Sequence, residues 1–337
     1  MINEKVTINN TTFILALFFI VFSTLYFSTN NKPVNDFTGV VLIEEQAPNT
    51  NQTDPTIDNS ILGTGIIIGE NKILTNYHVA HAGTNPKVYA YDSVKEYKAE
   101  IVEDDALTDI AIIKLTEPDW TEFKKRNNYS IMKIKSAKNL NVGDRVYTIG
   151  HPWGLAWTFS SGVVSAVKRK NDPSPRYMIQ TDARIYQGNS GGPLLDEKGY
   201  VVGMNTQMLA KTGGSYGFSI PGEILLKVIH DLDTNKKVTW PVLGIAITAD
   251  VEKGYVLVDS VDPTKSGAKS GVRSKDILIS IDGVSINTQN DILTYLAPKN
   301  VDDIINLVVN RNNKLLTITT KLDGKLSSEY PQPDYSE

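Results

Sequence analysis

Two β-rich domains in series are the fold class this sequence predicts: a first domain built as a sandwich or barrel of many short strands, and a smaller α+β domain after it. Three observations carry that reading. Short apolar, β-branched runs recur between turn signals from residue 39 to residue 219. One amphipathic helical pattern then follows over 221–232, and the polar stretch Asp233-Thr-Asn-Lys-Lys237 separates it from a second strand pattern that starts at Trp240. At 337 residues, 41% hydrophobic and 21% charged, the chain has enough apolar surface for two cores and is too apolar for global disorder.

The elements follow in order. Residues 11–27 run from Thr11 to Phe27 without a charge and are apolar on every side, which suits a bilayer better than a core helix. No small-residue cleavage motif follows Tyr26, so an uncleaved transmembrane anchor is expected over 11–28, with a signal segment as the alternative. Residues 1–10 are then cytosolic, and the rest of the chain lies on the extracytoplasmic side, periplasmic or extracellular. A strand is expected at 39–43 and a polar surface loop at 46–60. Further strands are expected at 65–68, 72–75, 87–91, 99–102, 110–115, 145–149, 162–167, 178–181, 193–195, 201–206 and 216–219. The helix at 221–232 starts on Pro221 and presents Ile224, Leu225, Val228, Ile229 and Leu232 on one face, closing a domain at 36–234. The second domain, 240–322, carries strands at 243–248, 255–261, 277–281, 304–310 and 315–321. Residues 323–337 are rich in Ser, Pro, Asp and Glu and are expected to be a disordered tail.

Composition excludes several functions. A net charge of -4 offers no positive field for a phosphate backbone, so nucleic acid is not an expected partner. The absence of cysteine removes disulfides, thiolate metal sites and a cysteine nucleophile. His78-Val-Ala-His81 has the spacing of a helical metal pair, but the glutamate of a His-Glu-x-x-His zinc peptidase is missing. His81 is therefore read as structural, His151 and His230 are given no role, and neither metal nor cofactor is expected.

The chemistry points elsewhere. Gly188-Asn-Ser190-Gly-Gly-Pro193 places a serine on a glycine-flanked turn, where its hydroxyl can be exposed and backbone N–H groups can face a developing oxyanion. His78 directly follows an apolar strand, where a general base is held rigidly. Asp109 opens another strand and is suited to orient an imidazole and stabilise its protonated form. His78, Asp109 and Ser190, each at a strand edge, compose a catalytic triad.

At these residues the sequence resembles the HtrA (Deg) family of trypsin-like serine proteases. The resemblance extends through Gly63-Thr-Gly65-Ile-Ile-Ile68, Gly150-His-Pro-Trp-Gly154, Gln180-Thr-Asp-Ala183, Gly203-Met-Asn-Thr206 and Gly217-Phe-Ser-Ile-Pro221. It also covers the second domain through Trp240-Pro-Val-Leu-Gly-Ile245, Gly254-Tyr-Val-Leu-Val258, Ser266-Gly-Ala-Lys-Ser-Gly271 and Asp276-Ile-Leu-Ile-Ser-Ile-Asp-Gly283. It implies a double β-barrel of the chymotrypsin/trypsin type, six strands to each barrel, followed by a PDZ domain. It implies cleavage of misfolded or regulatory proteins outside the cytosol, usually by a homotrimer. Gly188, Asn189 and Ser190 would form the oxyanion hole, and Arg184, Met204, Asn205 and Thr206 the substrate pocket. Val242, Leu243, Gly244 and Ile245 would form the carboxylate loop that holds a peptide C-terminus, with a short helix near 291–296 as the other wall.

Two departures from the family pattern are visible. Tyr186 and Gln187 replace residues that are usually Asn and often Pro, which bears on the resting shape of the oxyanion loop. Arg184 stands where a small residue is usual; pointing inward it would favour acidic or polar substrate side chains, and pointing outward it would leave a pocket for small aliphatic ones. The alternative to a protease is a membrane-held PDZ sensor or chaperone of weak or no activity.

Overall fold

The computed structural model describes residues 34–46, 60–83, 85–170, 176–211, 214–250 and 254–334. The anchor expected at 11–28 lies outside the described residues, as does most of the 46–60 loop. Among the described residues no helix is long and apolar enough to cross a membrane.

The first domain is two closed six-stranded barrels. The first contains β1 (Val40–Gln46), β2 (Ser60–Gly69), β3 (Lys72–Thr75), β4 (Lys87–Tyr89), β5 (Tyr97–Asp105) and β6 (Ile110–Leu115), closing in the order β1-β2-β3-β6-β5-β4. The second contains β7 (Arg145–Gly150), β8 (Thr158–Arg169), β9 (Met178–Thr181), β10 (Pro193–Leu195), β11 (Val201–Lys211) and β12 (Gly214–Pro221), closing as β10-β11-β12-β9-β8-β7. The period of two in a strand explains why Ile110-Ala-Ile-Ile113 is apolar throughout. Ala111 and Ile113 fill the first barrel with Val41, Ile67 and Ile73, whereas Ile110 and Ile112 join Val40, Ile66 and Leu74 on the opposite face. That outer face packs against Ile149, Leu195, Met204 and Ile220 of the second barrel and fuses the two into one body.

The short α1 (Tyr77–Ala80) follows β3 and carries the candidate base. A helix not expected from the sequence, α2 (Asp119–Arg126), plugs one end of the first barrel with Trp120 and Phe123, which stack on each other and pack against Tyr97 and Tyr129. Only those two apolar residues mark it, too few for a periodic pattern, although acids at its start and bases at its end are the usual helix-dipole complement. The expected closing helix is α3 (Gly222–Asn235), which buries Ile224, Leu225, Val228 and Leu232 in the shared core.

In the second domain, β14 (Ile245–Asp250), β15 (Tyr255–Val261), β16 (Ile277–Ile281), β18 (Ile304–Arg311) and β19 (Lys314–Lys321) form one sheet in that order, with β17 (Val284–Ser285) beside β16. Helices α4 (Ser266–Lys269) and α5 (Gln289–Leu296) complete it, and a Thr288–Asp291 capping box starts α5.

The tail corrects the expectation of disorder. Asp323–Leu326 forms β20, which pairs with β13 (Thr239–Val242), and a 3-10 turn follows at Ser327–Glu329. Composition misled because the segment's anchors are few: buried Ser327 accepts from Trp240 Nε1 at 3.0 Å, and Tyr330 packs onto the shared core. Trp240 itself belongs to that core rather than to the second domain, so the tail straps the two domains at their junction.

Candidate active site

His78 and Asp109 come from the first barrel. His78 sits in α1 immediately after β3, and Asp109 links the 3-10 turn Ala106–Thr108 to β6 with φ 59°, a left-handed conformation that aspartate tolerates better than most side chains. His78 Nδ1 lies 2.9 and 3.0 Å from the two oxygens of the Asp109 carboxylate, and its backbone N–H donates to Oδ1 at 3.1 Å. Asn76 Nδ2 donates to the Asp109 carbonyl at 2.9 Å. Asp109 is fully buried, while the His78 side chain keeps 29% exposure, enough to meet a substrate. The carboxylate therefore fixes which imidazole nitrogen carries the proton and leaves Nε2 for chemistry.

Ser190 comes from the second barrel, in the loop before β10. Its hydroxyl donates to the Thr206 carbonyl at 3.3 Å, and the Thr206 hydroxyl donates to Asp109 Oδ2. The three sequence-predicted residues thus meet: His78 and Asp109 directly, Ser190 through Thr206.

The turn around Ser190 is clamped on several sides. Gly188 has φ +98°, and a Cβ there would lie 2.2 Å from the His151 carbonyl oxygen, so glycine is required. The Gln187 carbonyl accepts from Trp153 N–H at 3.0 Å. Because C=O and N–H point in opposite directions in a trans peptide, this bond turns the Gly188 N–H away from the 151–154 loop. Asn189 N–H is used internally, donating to Tyr186 O at 2.9 Å. The N–H groups of Gly188 and Ser190 have no hydrogen-bond partner among the described residues, which leaves both available to an incoming oxyanion. Of the three expected oxyanion residues, Gly188 and Ser190 have this freedom and Asn189 does not. Tyr186 stacks on Trp153 with ring centroids 4.3 Å apart, so the residue that departs from the family pattern has an aromatic partner of its own.

The expected substrate-pocket residues divide differently. Arg184 is exposed, the outward alternative, and its carbonyl accepts from Asn189 Nδ2 at 3.3 Å. Met204 is a correction: it is fully buried in the shared core, because its strand position faces inward. Asn205 is also fully buried; its backbone exchanges hydrogen bonds with Gly191 and Gly192, and its side chain engages Ser219 and Pro193. It shapes the nucleophile turn from behind. Ile185, which sequence reasoning passed over, is buried against the Cβ-free surface of Gly217. Thr64, His151 and Trp153 were visible only as parts of motifs, since their partners lie far away in the chain. His81 pairs with Asp104 at 3.0 Å and stacks on Tyr77, the structural role expected of it.

In the second domain, Val242, Leu243, Gly244 and Ile245 lead into β14, an edge strand. Gly244 has φ +69°, and Leu243 is anchored in the domain core. They line a cavity of about 820 Å³, with Ile292, Leu293 and Leu296 of α5 on the far wall and Lys325, Glu329 and Tyr330 of the tail at one end.

Comparison with known proteins agrees with this architecture. Residues 63–204 match the trypsin-like peptidase domain, and residues 241–322 match the PDZ domain. The chain is 32% identical over 283 residues to the periplasmic pH-dependent serine endoprotease DegQ of Escherichia coli, covering 79% of this chain and 60% of that protein. It is 32% identical to the periplasmic serine endoprotease DegP of Salmonella typhimurium, covering 80% and 58%. It thus spans about three fifths of the length of these curated relatives. Among solved structures, the HtrA-type protease AlgW with tripeptide superposes with a TM-score of 0.67 at 26% identity, covering 89% of this chain and 96% of that one. A serine endoprotease from Yersinia pestis gives 0.58 at 26% identity, covering 86% and 95%.

Proposed function

The chain is a homologue of the HtrA-type serine proteases, a trypsin-like peptidase domain joined to one PDZ domain, and on that premise we propose that it is a serine endopeptidase acting through Ser190, His78 and Asp109. The observation that carries this reading is the bond between His78 Nδ1 and the buried Asp109 carboxylate, with Thr206 joining that carboxylate to Ser190. Ser190 Oγ leaves the Thr206 carbonyl as His78 Nε2 takes its proton, and the oxygen attacks the scissile carbonyl. The Gly188 and Ser190 N–H groups stabilise the oxyanion; donors of this kind are worth about 3–4 kcal/mol each. His78 returns the proton to the leaving amine, and water attacks the acyl-enzyme by the reverse path. An inactive sensor would call for a collapsed oxyanion loop, and the tie from Trp153 N–H to the Gln187 carbonyl counts against it.

We place the substrates among misfolded or regulatory proteins outside the cytosol, in keeping with the periplasmic relatives. The 11–28 segment serves as the membrane anchor, and the working unit is a homotrimer. Regulation runs through the PDZ groove, where the open edge of β14 accepts an extended peptide and the loop at 242–245 its C-terminal carboxylate. A solved neighbour is described as carrying a tripeptide. Incubation of the full chain with an unfolded protein tests the reading: fragments should accumulate and be absent with Ser190→Ala, and intact substrate in both would refute it.

A further inference from the structure

His151 was given no role by sequence, yet it is fully buried between the two barrels, beside the nucleophile loop. Its Nδ1 lies 2.9 Å from Thr64 Oγ1. Thr64, on β2 of the first barrel, holds two carbonyls of the nucleophile loop: its hydroxyl donates to Gly188 O at 2.7 Å, and its backbone N–H donates to Ser190 O at 2.8 Å.

Hydrogen counting fixes the direction of this relay. A threonine hydroxyl has one hydrogen, and the Gly188 carbonyl can only accept, so that hydrogen is committed to Gly188. Thr64 Oγ1 must then accept from His151, and Nδ1 must be the protonated nitrogen. Nε2 is consequently the bare nitrogen, and it is the His151 atom that is buried without a partner. A buried lone pair is the less costly group to leave so. Burial also lowers the His151 pKa to about 3, which keeps the ring neutral at working pH.

We infer that His151 is a positioning residue for the oxyanion hole, acting through Thr64 to hold the carbonyl of Gly188 against the first barrel. The inference rests on the protease reading above and adds a residue to it. With Gly188 O tied to Thr64 and Gln187 O tied to Trp153, both peptide planes flanking Gly188 are fixed, and with them the direction of the Gly188 N–H. Without the His151 donor the Thr64 hydroxyl is no longer held in one rotation, and its tie to the Gly188 carbonyl is weakened.

The test uses the full chain and the second-order rate of labelling by a fluorophosphonate. His151→Leu should slow labelling about 5–30-fold, the worth of one or two hydrogen-bond equivalents. His151→Asn, which keeps a donor, should recover most of it. Because the relay passes through Thr64, the double variant His151→Leu with Thr64→Val should be no slower than Thr64→Val alone. Unchanged labelling in His151→Leu, or losses that multiply in the double variant, would overturn the inference. A measurement on unaltered protein guards against misfolded variants: with four histidines in the chain, ring ¹H–¹⁵N correlation spectra should show His151 as the Nδ1–H tautomer. Finding the proton on Nε2 would refute the relay even if labelling behaved. Wild-type protein that resists labelling altogether would defeat the protease reading, and the tautomer would still decide this one.

Discussion

Thr206, on the second barrel, donates its hydroxyl to the carboxylate of Asp109, on the first. The Asp109 carboxylate is therefore held from both sides of the cleft, by His78 on its own barrel and by a residue whose carbonyl meanwhile holds the Ser190 hydroxyl. A hydrogen bond to a charged, buried oxygen is worth about 1.5–3 kcal/mol. Thr206→Val should lower kcat about 10–100-fold with little change in KM, and Thr206→Ser should restore it. Asp109→Asn, which lets the imidazole take the wrong tautomer, should cost about 10⁴-fold. A Thr206→Val enzyme with unaltered kcat would show that the Thr206 hydroxyl plays no part in the reaction.

The stack of Tyr186 on Trp153 should matter to the oxyanion loop through packing alone, since the backbone bond from residue 153 to Gln187 survives any side-chain change there. Aromatic pairs contribute about 0.5–1.5 kcal/mol. Trp153→Ala should slow acylation about 2–10-fold, and Trp153→Phe should not, when single-turnover rates on one peptide ester are compared.

Burial of His151 also has a consequence for stability. Its pKa is about 3 in the folded chain, against about 6.5 for an ordinary histidine. Between those values the unfolded chain binds more protons, so stability is lost as pH falls below about 6.5 toward 3. His151→Asn should flatten this acid-side fall in melting temperature between pH 7 and pH 5. An unchanged slope would show that the ring titrates normally.

Glu45 gives the opposite slope. Burial raises its pKa to about 7, with the Asn85 N–H lowering it in part. The folded chain then holds the extra proton, and stability falls as pH rises from about 4.5 to 7. Glu45→Gln should raise stability at pH 8 by on the order of 1–2 kcal/mol and have little effect at pH 4.5, read from urea melts at the two pH values.

The tail should behave as a structural strap. Ser327→Ala leaves the buried Trp240 indole N–H without its acceptor, a loss of about 1–3 kcal/mol. The melting temperature should fall and Trp240 emission should shift; a variant as stable as the parent would show that another group takes the bond.

The strands, and the turns that carry His78, Asp109 and Ser190, were legible because each leaves a local mark. A period of two identifies a strand, and glycines on both sides of Ser190 identify its turn. Thr64 and His151 were not legible because their significance is a contact across 87 positions, which no local pattern encodes. Met204 was misplaced for a related reason: a strand residue beside a cleft can face the cleft or the core, and only the closed barrel decides. The tail was missed because composition averages over residues, whereas Ser327 and Tyr330 act singly.

Peptide-bond hydrolysis by this chain requires Ser190 to be an activated nucleophile. Fluorophosphonate treatment of the full chain, followed by proteolysis and mass mapping of the adduct, tests that most directly. One adduct per chain on the peptide containing Ser190, lost in Ser190→Ala and slowed at least about 10³-fold in His78→Ala, is the expected result. Wild-type protein that takes up no label, or takes it up equally well without His78, would contradict it.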